Sequence, residues 1–383
     1  VAGMMGVIEA YGPIPYSKMQ NGTFSVPYDS QRDVYMAMID DLDAAMETLY
    51  TFASAGDGIL MRDFDISSFK GDSRLWVSFA NTLKLRMAIR MSGVEPEARR
   101  IAEEAVRDMA TYGLIDANAE NLSFSSDSRQ NPFYTQATST SWQDLRSNAS
   151  IVMYMNAYED PRRASYFSKS GYDGIYVGVR AGIQNVTPTD YATYSYPLFA
   201  EKDPVPVMYA SESWFLRAEG ALLGWTMGDT AENLYNTGVK TSLELWGNGS
   251  SYETYIASET APALSYADPR NKHNVSDFGT AVSVKWADDG NELERIITQK
   301  WIANHMIGHE AWADVRRTGY PRLLQVVNNL SGGMWGNVDS SKGMRRLHYP
   351  QSEYDNNREN VLKGVELLGG SDLHGTDVWW AKK

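Results

Sequence analysis

The sequence of 383 residues contains no cysteine. Disulfide bonds, thiolate metal ligands and cysteine nucleophiles are therefore excluded within this chain. No apolar run approaches about 18 residues, the length at which a helix becomes a candidate to span a bilayer. Positive charge is also scarce, since 35 Lys and Arg stand against 48 Asp and Glu, for a formal net charge of −13. This balance argues against a nucleic-acid partner, because binding to phosphates requires a basic surface.

Recognisable catalytic motifs are missing as well. The chain has neither a G-x-S-x-G nucleophile motif nor a glycine-rich phosphate loop. His305 and His309 lie one helical turn apart, as zinc ligands can, but Met306 stands where the metalloprotease motif has its glutamate. The acidic loop 288–294 lacks the EF-hand spacing and is interpreted as solvated. We expect no catalytic residue, metal or cofactor, although carboxylates that meet only in space could still form a glycosidase.

Helical patterning dominates the rest of the sequence. Apolar residues repeat at three- and four-residue steps over 31–52 and 72–91, and a further helix follows over about 96–112. A helix pair is predicted over 212–225 and 230–246, where large and small residues alternate as in hairpins of the tetratricopeptide type. The sequence therefore predicts a mainly α fold, in which tetratricopeptide-like helical hairpins form a scaffold packed against a loop-rich half with few short strands.

A single domain is predicted for residues 1–383. Helical hairpins are expected at about 31–112 and 212–246, loop-rich segments on the ligand side at about 118–206 and 247–290, and C-terminal helices and a tail at 292–383. The tail is expected to hold one short helix, 351–357, in otherwise irregular chain. Loops of such length in a compact domain are usually functional or disordered. The opening residues, VAGMMGVIEAYG, resemble the interior of a helix.

Aromatic residues are abundant, with 11 Trp, 23 Tyr and 11 Phe, and many lie in polar, turn-rich stretches. Exposed aromatic planes are surfaces on which sugars and peptides stack, and packing in the core is the alternative role for each of them. The candidate ligand-binding residues are those with the fewest helical neighbours: Tyr134, Trp142, Tyr191, Tyr194, Tyr196 and Trp335.

The segment EAWADVRRTGYP, 310–321, has the features of a helix end. Its apolar positions form a stripe, and its two arginines fall in the last turn, where cations favour the helix dipole. Gly319 is predicted as a left-handed cap, with Pro321 preventing continuation of the helix. The paired arginines here and elsewhere in the chain are interpreted as structural, salt-bridged residues.

Several segments, in the same order, resemble the SusD/RagB family of outer-membrane nutrient-binding lipoproteins of Bacteroidetes. They are YGPIPYS, YDSQRDVYMAMIDDLDAAM, GDSRLWVSFANTLKLRMAIR, AYEDPRR, ITQKWIANH, EAWADVRRTGYP and RRLHYPQSEYDNNREN. The resemblance covers nearly the whole chain. These segments are scaffold and carry no ligand-binding residue, so no binding position can be transferred from the family.

The resemblance implies a non-enzymatic, surface-exposed lipoprotein of the outer membrane, anchored through a lipidated cysteine upstream of this chain. It also implies four tetratricopeptide-like hairpins and a partner, a SusC-like TonB-dependent transporter that receives the ligand. An oligosaccharide is the expected ligand. A peptide ligand, a glycoside hydrolase and a pure interaction scaffold are the alternatives.

Overall fold

The computed structural model describes residues 1–19, 22, 25–56, 62–126, 130–137 and 145–382. The mainly helical fold predicted from the sequence is confirmed. The α-helices of the described residues are α1 (Ala2–Tyr11), α2 (Gln31–Ser54), α3 (Ser73–Arg90), α4 (Ala98–Arg107), α5 (Met109–Tyr112), α6 (Pro132–Ala137), α7 (Ala149–Ala157), α8 (Arg163–Tyr166), α9 (Ala210–Leu222), α10 (Ala231–Leu245), α11 (Tyr252–Ile256), α12 (Glu292–Ala303), α13 (Gly308–Thr318), α14 (Gln351–Asn356) and α15 (Arg358–Leu368).

The β structure of the described residues is confined to two antiparallel pairs of short strands. β1 (Leu122–Phe124) pairs with β2 (Val205–Met208). The two ends of the first loop-rich segment therefore lie side by side. β3 (Ala263–Tyr266) pairs with β4 (Val275–Thr280), and a register shift interrupts the ladder after Leu264. The second loop-rich segment is thus organised around the β3–β4 hairpin, which the sequence did not predict.

Side-chain caps fix where the long helices begin. Ser30 precedes α2, and its hydroxyl accepts a hydrogen bond from the Asp33 backbone N–H at 3.0 Å. Asp72 precedes α3 and accepts from the backbone N–H of Arg74 at 2.9 Å. Such caps satisfy N–H groups that have no partner within the helix. The two helices then pack against each other through one continuous apolar core.

The α9–α10 hairpin interlocks through a glycine. At Gly238 of α10, an added Cβ would lie 3.0 Å from the ring of Phe215 on α9. The missing side chain therefore lets the two helices approach closely, as the alternation of large and small residues predicts. α9 also packs against α3 and α12, so this hairpin lies at the centre of the helical scaffold.

The end of α13 has the cap that the sequence predicts. The helix finishes at Thr318, and Gly319 adopts the left-handed conformation with φ 86°. The Arg316 guanidinium is buried and donates to the backbone carbonyl oxygens of Glu9 at 2.6 Å and Arg345 at 3.0 Å. Arg317 pairs with the carboxylate of Glu219. Both arginines are therefore structural, as predicted, but Arg316 is held by carbonyl oxygens and not by the predicted salt bridge, which Arg317 makes.

A buried charge network, comprising Arg86, Glu212, Lys300, Glu310 and Asp314, joins the scaffold helices. Arg86 on α3 donates twice to Glu212 on α9, at 2.7 and 2.8 Å. Arg86 also lies 3.4 Å from Glu310 of α13, and Lys300 of α12 lies 2.9 Å from Asp314. All five residues are buried. Charges in such a place are tolerated only when they are paired, so the network fixes how these helices sit together.

Glu9 gives the scaffold an acid-sensitive contact. Burial raises the pKa of Glu9, but the Arg90 charge and hydrogen bonds from His309 and Tyr35 outweigh it and lower the pKa to about 2. Since the ordinary value is 4.5, protonation favours the unfolded chain. Stability gained from this carboxylate is therefore present above pH 4.5 and lost as the pH falls towards about 2.

We expect Glu9→Gln to remove this part of the pH dependence. The stability advantage of the wild type over Glu9→Gln should shrink as the pH falls from neutral towards 2, because protonation of Glu9 favours the unfolded chain. Urea unfolding at a series of pH values measures it. A stability difference that stays constant with pH would show that folding does not change the pKa of Glu9.

One element of the tail differs from the prediction of irregular chain. Residues 358–368 form α15, which packs on Tyr28 through Gly364, where an added Cβ would lie 2.5 Å from the Tyr28 ring. Val361 and Leu368 are buried on the same side, about two helical turns apart. The helical spacing of apolar residues in 358–368 is present in the sequence but covers a short segment. The helix also depends on the long-range contact between Gly364 and Tyr28.

Candidate functional site

Tyr191 and Tyr194, two of the aromatics predicted from the sequence, lie inside the loop-rich half. They are 5% and 1% exposed, and their ring centroids lie 4.7 Å apart. The Tyr194 hydroxyl donates to Asp268, and the Arg270 guanidinium covers the Tyr191 ring at 5.2 Å. In this structure both rings support the loops from within instead of presenting a face to solvent.

The other predicted aromatics lie nearer the surface. Tyr134 on α6 and Tyr196 are half-buried, and Trp335 is half-buried with its ring stacked on His348 at a centroid distance of 3.3 Å. Trp142 lies outside the described residues. Ligand contacts by any of these side chains stay a prediction.

The two histidines considered as zinc ligands make unrelated contacts. His305 stacks on Tyr166 with ring centroids 4.0 Å apart, and burial lowers its pKa to about 3. His309 Nε2 lies 2.7 Å from a carboxylate oxygen of Glu9. Over the described ranges, no group of three or more His, Cys, Asp or Glu is placed to hold a metal ion.

An open cleft with an aromatic wall lies between the β3–β4 hairpin and the start of α12. We call it the Trp286 cleft. Its volume is about 600 Å³, within the range of small-molecule sites. It is lined by Glu259, Ala261, Thr280, Ala281, Val282, Ser283, Lys285, Trp286, Ala287, Asp289, Asn291 and Glu294.

The chain that forms one wall of the Trp286 cleft is held from behind by the helices. The Tyr158 hydroxyl donates to the carbonyl oxygen of Val282 at 2.8 Å, and the Tyr235 hydroxyl donates to that of Val284 at 2.7 Å. Both tyrosines come from the region of the packed helices, one just after α7 and the other on α10. The wall therefore has a fixed backbone although it contains neither helix nor strand.

Arg295 of α12 ties the two ends of this wall together. Its side chain is 1% exposed. Its guanidinium donates to the carbonyl oxygens of Ser283 at 3.0 Å and Ala287 at 3.1 Å, and to the Asp289 carboxylate at 3.1 Å. The hydrogen bond from Arg295 lowers the pKa of Asp289. A buried fork of donors thus preorganises the cleft before any ligand arrives.

The plane of Trp286 is set by two contacts. Its indole Nε1 donates to Asp288 at 3.0 Å, and its ring packs on Tyr235 with centroids 5.5 Å apart. The side chain is half-buried and lines the cleft. An indole held in this way offers a rigid apolar surface with little loss of side-chain entropy on binding.

Polar side chains surround this aromatic surface. Glu294 is half-buried, burial raises its pKa, and its carboxyl group has no hydrogen-bond donor among the described residues. Asn291 and Thr280 add further polar groups. Lys285 pairs with Glu259 at 2.5 Å on the rim. An apolar plane beside acceptors and donors suits a ligand that is itself flat and apolar on one face and hydroxylated at its edges.

Sequence reasoning missed Trp286 as a binding residue. It lies directly before the acidic loop 288–294, which was interpreted as solvated, and Asp288 and Asp289 are indeed exposed. The same loop is also the rim of a cleft, because the β3–β4 hairpin folds back opposite it. A tryptophan followed within five residues by two aspartates and an asparagine was the available signal.

The scaffold of helical hairpins and the preorganised open cleft define a ligand-binding protein. The chain belongs to the SusD-like family, described as Susd and RagB outer membrane lipoprotein, whose profile matches residues 1–381. Members of this family are binding proteins and not enzymes. Among the described residues, no helix combines the length and apolar character required to cross a membrane.

Solved structures agree with this membership. A chitin-binding SusD homologue from Flavobacterium johnsoniae is 39% identical with a TM-score of 0.91, and the match covers 100% of this chain and 79% of that one. A SusD homologue from Bacteroides uniformis is 42% identical, with a TM-score of 0.90 and coverage of 99% and 79%. A SusD-like protein from Bacteroides thetaiotaomicron is 40% identical, with a TM-score of 0.89 and coverage of 100% and 79%. Comparison with curated proteins gave no match.

Proposed function

We propose that this protein captures an oligosaccharide at the cell surface, in the Trp286 cleft, and delivers it to a TonB-dependent outer-membrane transporter. The observation that carries the proposal is the cleft itself, with an immobilised indole plane beside a carboxyl group that has no donor among the described residues. Membership in a family of outer-membrane lipoproteins supports the location and the transporter partner. An anchoring lipid upstream of this chain belongs to the same proposal.

The geometry suggests how a sugar would be held. The apolar face of a pyranose ring stacks on Trp286, which removes apolar surface from water on both sides. Hydroxyl groups at the ring edge donate to Glu294 and accept from Lys285. Because the cleft is open along one side, the ligand can leave quickly, and fast dissociation suits a protein that passes its ligand on.

Chitin fragments are the first glycans to test, since a 39% identical relative is a chitin-binding SusD homologue. The N-acetyl group of such a sugar has an amide N–H that can donate to Glu294. Its methyl group can pack on the small apolar side chains of Ala261 and Ala287, which also line the cleft. The methyl contact would distinguish an acetylated from a deacetylated sugar, whereas the ammonium group of a deacetylated sugar could still donate to Glu294.

A calorimetric screen of soluble glycans against peptides tests the proposal. We expect saturable binding of an oligosaccharide, no response to peptides and no release of reducing ends after long incubation. Saturable binding of peptides alone would reverse the choice of ligand, and turnover of any glycan would contradict a binding role.

In the native organism, deleting the gene is expected to slow uptake of the glycan that binds, and an unchanged uptake rate would contradict the delivery step.

A further inference from the structure

A second cleft opens on the other end of the β3–β4 hairpin. Its volume is about 380 Å³, which also falls within the range of small-molecule sites. Its walls come from α7, from Arg163 at the start of α8, from the loop 175–178 and from the end of β3. Tyr176 is its half-exposed aromatic side chain, and we call it the Tyr176 cleft.

The Tyr176 cleft is as firmly built as the Trp286 cleft. Asn156 of α7 donates to the carbonyl oxygen of Tyr176 at 2.9 Å, and the Tyr266 hydroxyl donates to that of Gly178 at 2.8 Å. An added Cβ at Gly178 would lie 2.6 Å from the carbonyl carbon of Asn148, so the loop backbone rests directly on the start of α7. The aromatic side chain is therefore carried by a fixed backbone.

The chemistry of this cleft matches that of the first. The guanidinium carbon of Arg163 lies 5.7 Å from the centroid of the Tyr176 ring. Arg163 Nε donates to the Asp160 carbonyl oxygen at 3.1 Å, while its Nη2 has no hydrogen-bond acceptor within the part of the chain that the structure describes. An aromatic ring and an available donor at the rim again suit a hydroxylated ligand.

The exposed side of β3 borders both clefts, and Tyr266 from the buried side also lines the Tyr176 cleft. Ala261 lines the Trp286 cleft, and Ser265 and Ala267 line the Tyr176 cleft. Residues 261, 263, 265 and 267 are all exposed, while the alternate residues 264, 266 and 268 are buried. Alternation places the exposed set on one side of the strand. Thr280 of β4, which pairs with Ala263, also lines the Trp286 cleft.

The clefts are close enough to share one ligand. A strand rises about 3.3 Å per residue, so the four steps from Ala261 to Ser265 cover roughly 13 Å. The side chain between them on this face is that of Ala263, which is too short to block a ligand lying along the strand. We propose that the two clefts are subsites for a single extended glycan chain, which occupies both at once. This inference rests on the proposed function of the Trp286 cleft.

Two linked contacts raise affinity through effective concentration, by a factor of about 100 or more when the span fits. Binding of a chain-length series from disaccharide to octasaccharide, measured by calorimetry, tests this. For the wild type we expect a rise of at least about ten-fold once the glycan spans both clefts, beyond the small statistical gain from additional registers. Tyr176→Ala and Ala263→Arg are expected to lose that rise, the first by removing a subsite and the second by obstructing the path.

Phe64→Ala is the matched control, because Phe64 is an exposed aromatic that lines neither cleft. It should keep the full dependence on chain length. If short glycans bind but longer ones gain only the statistical factor, the two-subsite inference is overturned and the proposed function stands. The inference is equally overturned if Tyr176→Ala and Ala263→Arg, folded as judged by circular dichroism, retain the rise. Absence of binding at every length would overturn the proposed function.

Discussion

Trp286→Ala is expected to lower the affinity for the captured glycan by about 10- to 100-fold, which corresponds to roughly 1.4–2.7 kcal/mol and is typical of a truncated aromatic hot spot. The expected loss is large because Trp286 is the aromatic plane of its cleft, and its neighbours Asp288 and Tyr235 already hold it in place. Trp286→Phe keeps a smaller plane and should recover part of the affinity. Calorimetric titration of the three proteins measures the effect.

The control for this experiment is again Phe64→Ala, which removes an aromatic ring that is 80% exposed and outside the cleft. Its affinity should equal that of the wild type. Because Trp286 also packs on the scaffold core, thermal unfolding of each variant must show that it is folded at the temperature of titration. A folded Trp286→Ala protein with an affinity within about two-fold of wild type would place the glycan elsewhere.

Glu212→Ala is expected to destabilise the scaffold by about 3–5 kcal/mol, the usual effect of removing one partner of a buried ion pair. Without Glu212, the buried guanidinium of Arg86 loses two hydrogen bonds at 2.7 and 2.8 Å, and its remaining ionic partner among the described residues is Glu310, at 3.4 Å. Lys300, whose ammonium group lies 4.0 Å from Glu212, also loses part of the negative charge that balances its own. The urea concentration at the unfolding midpoint is the quantity to compare.

A surface ion pair provides the contrast. Arg100 of α4 is 54% exposed and lies 2.7 Å from Glu97, which precedes the helix, and 2.7 Å from Glu104 within it. Exposed pairs contribute about 0–1 kcal/mol, so Arg100→Ala should barely shift the midpoint. If Glu212→Ala were as mild as Arg100→Ala, the buried network would not be what holds the helices together.

Sequence reasoning was most successful where the determinants are local. The left-handed Gly319 and the apolar repeats of α2 and α3 depend on residues within one or two helical turns of each other, and each is readable without knowledge of the fold. α15 depends on a contact between Gly364 and Tyr28, which lie far apart in the chain, and that contact was not readable.

The candidate site was harder to predict for the same reason. The Trp286 cleft is assembled from 259–261, 280–287 and 289–294, and one of its walls is held by Arg295. In the sequence, the tyrosines of the first loop-rich segment look as exposed as Trp286 does. Burial of Tyr191 and Tyr194 follows from packing against Tyr266 and Arg270 of the second segment, which no local pattern reveals. The single-domain organisation stays a prediction.

The location of the bound sugar is the most direct test of the central claim. A crystal structure of this protein with the glycan selected by the calorimetric screen would show it. We predict a sugar ring stacked on Trp286, with an edge hydroxyl or amide within hydrogen-bond distance of the Glu294 carboxyl group. An empty Trp286 cleft with the sugar bound instead at Trp335, or beside Tyr134 on α6, would contradict the claim.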